Sequence, residues 1–217
     1  MLPQMTSVSL PTASGRARKA LDVVYREFTA PTPQGIEGCP CCSETRGVDV
    51  LLTTPLRELT GEQLGRYVSG LFYTIGSERD FRYFLPRIFD ISINDPEHAN
   101  NPEIVLEKLR LGNWRSWSVA ERRSVEALVD AWFELALAQD LTGADEWWIG
   151  DEAESVLCGA ARAGFPLAPW LARLQEPFAS PVLADLERRF PKKLSAFWDN
   201  ASVGWGELSL MLAEGQG

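Results

Sequence analysis

The sequence predicts an all-α protein, built of stacked helical hairpins as an irregular bundle or a HEAT-like α-superhelix. Three observations predict it. Apolar residues recur at i, i+3, i+4 and i+7 in one segment after another. Capping signals and prolines open those segments, and Gly or Pro closes them. Strand signals are missing, with no Asn-Gly or Asp-Gly hairpin and no sustained polar/apolar alternation.

Residues 1–14 carry no charge and are rich in Ser, Thr and Pro, so they are expected to form a poorly ordered lead-in. Residues 15–217 then read as a single helical domain. Leu21, Val24, Tyr25 and Phe28 share one helix face, and Pro31 and Pro33 end it. A cysteine-containing loop is expected over 31–47, and Val48, Leu51 and Leu52 suggest a short helix. Thr60 and Gln63 form a capping box ahead of Leu64, Tyr67, Val68, Leu71, Phe72 and Ile75, which predicts one helix ending at Gly76. Ser77 and Asp80 open the next, whose apolar face is Phe81, Phe84, Leu85 and Ile88. Pro86 inside it predicts a kink or restart. A polar loop holds His98, and Asn101-Pro102 starts a helix that runs to Gly112. Ser118 and Glu121 form another capping box, opening a helix to about Gln139 with Val125, Leu128, Val129, Trp132, Leu135 and Ala136 facing inward. Further helices are expected over 151–163, 168–175, 181–190 and 203–213.

Composition narrows the function. The chain has 217 residues, 45% of them hydrophobic, and a formal net charge of -9. That charge argues against nucleic acid as the main partner. No apolar run is long enough to span a membrane, and the first residues do not form a secretory signal, so a cytoplasmic protein is expected. The lone histidine, His98, removes most His-based catalytic and metal constellations. There is no P-loop, G-x-G-x-x-G, G-x-S-x-G or His-Glu-x-x-His. The balance favours a binding protein over an enzyme. Were acid–base chemistry present, Asp145, Glu146 or Asp151 would be its candidates.

Cysteine usage supplies an alternative. Cys39 and Cys42 stand in C-x-x-C spacing with Cys41 between them, so a zinc or thiol site would centre on Cys39, Cys41 and Cys42. Cys158 and His98 are the remaining soft ligands. No second C-x-x-C is present, and the plainer reading is a loop of small, partly buried thiols.

The stretch Thr74-Ile75-Gly76-Ser77-Glu78-Arg79-Asp80-Phe81-Arg82-Tyr83-Phe84-Leu85-Pro86-Arg87-Ile88 resembles a block that recurs in a group of bacterial helical proteins. Pro55-Leu56-Arg57-Glu58-Leu59 matches a second segment of that pattern, upstream of the block. The resemblance covers roughly residues 38–136 and implies a helical interaction protein, such as an immunity protein. The adjacent Cys41-Cys42 departs from the spaced cysteines of the pattern. Within the block, Asp80 is expected to pair with Arg87 or another arginine near the helix junction at Pro86.

The sharpest signal is where the charge sits. Between Ser124 and Ala161 there is no Lys or Arg, whereas Glu126, Asp130, Glu134, Asp140, Asp145, Glu146, Asp151, Glu152 and Glu154 all fall there. Glu126, Asp130 and Glu134, spaced by four, share one helix face. Trp147-Trp148 lies between Asp145-Glu146 and Asp151-Glu152. An exposed indole ringed by carboxylates is suited to a basic protein partner: the ring anchors and the acids steer. The expected contact set is Glu126, Asp130, Glu134, Asp145, Glu146, Trp147, Trp148, Asp151 and Glu152. The expected partner is a basic protein, in the sharpest version a toxin. The competing account is an ordinary solvated acidic face with both tryptophans in the core.

Overall fold

A computed structural model of the chain describes residues 9–38, 48–143 and 149–214. Among the described residues there are ten α-helices and only isolated β-bridges, so the chain is all-α. In chain order they are α1 (Leu10–Glu27), α2 (Val48–Thr53), α3 (Gly61–Gly70), α4 (Glu78–Asn94), α5 (Pro102–Leu111), α6 (Val119–Thr142), α7 (Asp151–Ala163), α8 (Ala168–Leu174), α9 (Ser180–Arg189) and α10 (Ser202–Glu214). Short 3-10 turns fill several connections, for example Pro96–His98 and Ala196–Asn200. No helix among the described residues is long and apolar enough to cross a membrane.

The chain forms two compact units. A medial unit comprises Ala20–Leu128, and a terminal unit comprises Met1–Lys19 with Val129–Gly217. Both boundaries fall inside helices, α1 and α6, which is why no Gly- or Pro-rich linker marks them in the sequence.

In the medial unit α3, α4 and α5 pack on one another. Their shared core holds Leu64, Tyr67, Phe81, Phe84, Leu85, Phe89, Val105, Leu106 and Leu109. Tyr67 and Tyr83 meet Phe84 edge-on, with ring centroids 5.1 and 5.0 Å apart. The capping boxes form as the spacing requires. Thr60 Oγ1 accepts from Gln63 N while Gln63 Oε1 accepts from Thr60 N, and Ser77 with Asp80 repeats the pattern at α4.

Four local expectations are corrected. Helix α3 ends at Gly70, not Gly76; Leu71 and Ile75 stay buried, but in a tight turn where Phe72 has φ 65° and Ile75 bridges Gly38. Helix α4 continues through Pro86 without a restart. Asp80 pairs with no arginine among the described residues: it is spent on Ser77, while Arg87 donates to Asp90 (2.7 Å) and to the Leu59 carbonyl (2.7 Å). Helix α1 also begins at Leu10, inside the stretch read as a lead-in, with Pro11 in its first turn, where a missing N–H goes unused.

In the terminal unit α7, α8 and α9 each pack against α10. Val156, Leu157, Cys158, Leu174, Val182, Leu186, Leu208 and Leu212 form the core. Gly204 lets α10 approach α7: a Cβ there would lie 2.4 Å from the Ala161 Cβ. Gly164 ends α7 at φ 85°, as its place after the last apolar residue predicts.

Candidate functional site

The acids singled out by charge segregation meet different fates. Asp130 and Glu134 are not an unopposed face. Arg16 of α1 donates to both, at 2.5 Å to Asp130. Asp130 also accepts from Arg173 (2.8 Å) and from the Trp170 indole N–H (2.9 Å). Burial works against the charge on Arg16, but the two carboxylates outweigh it and raise its pKa. Arg16 lies 114 residues from Asp130 in sequence, so no local window could have revealed the pairing. Glu126, on the part of α6 that belongs to the medial unit, is exposed and has no ion pair among the described residues. Val125, Leu128, Val129, Trp132, Leu135 and Ala136 are buried, as the helical spacing predicted. Asp145, Glu146, Trp147 and Trp148 lie outside the described residues, as do Cys39, Cys41 and Cys42.

Asp151 and Glu152 open α7, and the sequence explains why acids belong there. The residue before them is Gly150, at φ 103°, which offers no side-chain cap. The orphan N–H groups of the first turn therefore need acceptors from elsewhere. Asp140, from the end of α6, supplies them: its two oxygens accept from Glu152 N (3.3 Å) and Ala153 N (2.9 Å). Burial pushes the Asp140 carboxyl up to about 6 even though those N–H groups pull it down. Periodicity alone missed this role. The signal that would have found it is a helix start with no Ser, Thr, Asn or Asp at its cap position.

One turn further on, Glu154 is buried. It accepts from Arg189, from Ser195 N (2.6 Å) and from the Trp198 indole N–H (3.1 Å). Arg189, 1% exposed, also donates to Asp185 (2.7 Å) and lies 3.6 Å from Asp151. Arg188 completes the pairing of Asp185. Three carboxylates, those of Asp151, Glu154 and Asp185, thus gather around the guanidinium groups of Arg188 and Arg189, while Asp140 takes the backbone N–H groups of Glu152 and Ala153. Asp151 is 65% exposed, and Glu152 is exposed beside it. Partial burial raises the Glu152 carboxyl, and the charge of Asp151 adds to the rise. The negative charge at this end of α7 is therefore only partly neutralised.

The medial unit contains a cleft of about 430 Å³ that the acid count did not indicate. Its walls come from the end of α1 (Glu27, Phe28, Thr29, Ala30) and the first turns of α4 (Glu78, Arg79, Arg82) and α6 (Glu121). The two Ser-capped helix starts converge here. Ser118 N donates to Glu121 Oε2 at 3.0 Å, and the other Glu121 oxygen takes Arg82. Burial acts to raise the Glu121 carboxyl, but the bonds from Ser118 and Arg82 prevail and lower it.

Among the described residues no group of three His, Cys, Asp or Glu side chains is placed to hold a metal ion. His98 sits in an exposed turn with Nδ1 2.7 Å from Asp95 Oδ1, and Cys158 is fully buried in α7. No family model, curated protein or solved structure matches the chain.

Proposed function

We propose that the chain is a non-catalytic binding protein that engages a basic protein partner through the carboxylates at the start of α7. Asp151 and Glu152 are the contact residues, with Asp145, Glu146, Trp147 and Trp148 immediately before them in sequence. Glu126 is exposed as well, but on the medial unit. Asp130 and Glu134 leave the contact set, because their charge is already spent on Arg16 and Arg173. The sharpest form of this reading is an immunity protein that covers the cationic cleft of a toxin by presenting carboxylates in place of its substrate's charge. One observation supports it: Asp151, Glu154 and Asp185 share the guanidinium groups of Arg188 and Arg189, Asp140 and Glu152 have no ion pair among the described residues, and Asp151 and Glu152 face solvent. Such a surplus speeds association with a cationic surface and fixes its orientation.

The test is affinity capture of basic proteins by the wild-type chain and by the double variant Asp151→Asn, Glu152→Gln. A basic partner held at low salt by the wild type should bind the variant roughly tenfold more weakly. Equal retention by both proteins would remove this surface from the interaction.

A further inference from the structure

We propose that the medial-unit cleft binds a small zwitterion, a molecule carrying a carboxylate and an ammonium group on one short frame, as a free α-amino acid does. The proposal does not depend on the acidic cluster at α7. The cleft's volume, about 430 Å³, lies in the lower part of the range of small-molecule sites. One wall is prebuilt. Arg82 is held between Glu121 and Glu78, the latter at 3.8 Å, and its guanidinium lies 5.6 Å from the Trp117 ring centroid. The Trp117 indole N–H donates to Glu78 (2.9 Å), fixing that carboxylate in turn. Phe28 meets Trp117 edge-on at 5.4 Å, and both rings are almost fully buried, which makes the support beneath this wall stiff.

The charge left over defines the ligand. Arg79, one turn before Arg82 on α4, lines the cleft and has no ion pair among the described residues. Its planar fork suits a carboxylate. Glu27 lines the cleft as well and, among the described residues, pairs only with its exposed neighbour Arg26, at 3.3 Å. Glu78 and Glu121 together outnumber Arg82, so a second negative charge is also left over. A simple anion would satisfy Arg79 and leave the carboxylates desolvated against it. A simple cation would do the reverse. Only a ligand with both charges satisfies both sides, since a charged group left unpaired on closure loses its hydration without replacement. The apolar part of such a ligand would rest near Phe28.

The experiment titrates the 217-residue chain with free amino acids, their N-acetyl forms and their amides, using calorimetry and backbone amide NMR. The expected result is that at least one free amino acid binds and shifts the resonances of residues 27–30 and 78–82. N-acetylation and amidation should each weaken it roughly tenfold or more. Arg79→Ala should abolish the preference for the acid over the amide, and Glu27→Gln the preference for the amine over the N-acetyl form. Both residues are at the surface of the unit, so both variants should fold. If no amino acid shifts those resonances, the proposal fails. It also fails if amides bind as well as acids, or if N-acetyl amino acids bind as well as free ones, since a single charge would then suffice.

Discussion

At the scale of single residues, Asp130 and Asp140 show how differently two acids from one charge run behave. Asp130 holds together three segments through Arg16, Arg173 and the Trp170 indole. Asp130→Ala should lower unfolding stability by roughly 1–3 kcal/mol, because it leaves those partly buried donors without an acceptor. Glu126→Gln, on an exposed residue with no ion pair among the described residues, should stay within about 0.5 kcal/mol. Chemical denaturation of the two variants checks the contrast, and equal effects would mean that the Asp130 contacts contribute nothing. Asp140 makes a prediction about pH. Its carboxyl is raised to about 6 from an ordinary 3.8, so between those values the folded chain holds a proton that the unfolded chain has released. Stability therefore falls as pH rises through this window, by about 3 kcal/mol from this group alone. Asp140→Asn removes the titration. Relative to wild type, the variant should gain stability steadily from pH 4 to pH 7. A constant difference across that range would show that Asp140 titrates normally.

Elements were legible wherever local chemistry decides them. The boxes at Thr60, Ser77 and Ser118 need only residues three apart, and each forms as read. Prolines at the first turns of α5, α8 and α9 cost nothing where no hydrogen bond is due. The reading of α3 failed because its apolar spacing persists beyond the helix. Leu71 and Ile75 are buried from a turn, so periodicity marks burial and not helix alone. The continuation of α4 through Pro86 has the opposite lesson: a buried aromatic face on both sides of the proline outweighs one lost hydrogen bond. Gly204 was invisible as a packing residue, since only the approach of α10 to Ala161 gives it a task. Gly204→Ala should destabilise by about 1–3 kcal/mol despite the better helix propensity of alanine, because the added methyl meets another side chain at well under contact distance. A thermal melt that rises in this variant would show that α10 shifts without penalty.

For the molecule as a whole, a net charge of -9 sets what it can approach, and the fold sets where. Association of the captured basic partner should slow markedly between 50 and 500 mM salt, as the screening length shortens below about 10 Å. The Asp151→Asn, Glu152→Gln variant should show a flatter dependence in stopped-flow mixing, and an unchanged slope would place the steering charge elsewhere. The sequence by itself determined the all-α class, most helix starts and stops, and which face of α6 is buried. These follow from hydrogen bonds and side-chain spacing within a few residues, which a linear reading contains. Tertiary structure decided which acids keep their charge to offer, because Arg16, Arg173 and Arg189 reach Asp130, Glu134 and Glu154 from other helices, Arg16 from more than a hundred residues away. It also decided that the first turns of α4 and α6 meet the end of α1 around a cleft. Ion pairs and cavities depend on distance in space, and in this chain that distance is fixed only when the helices pack.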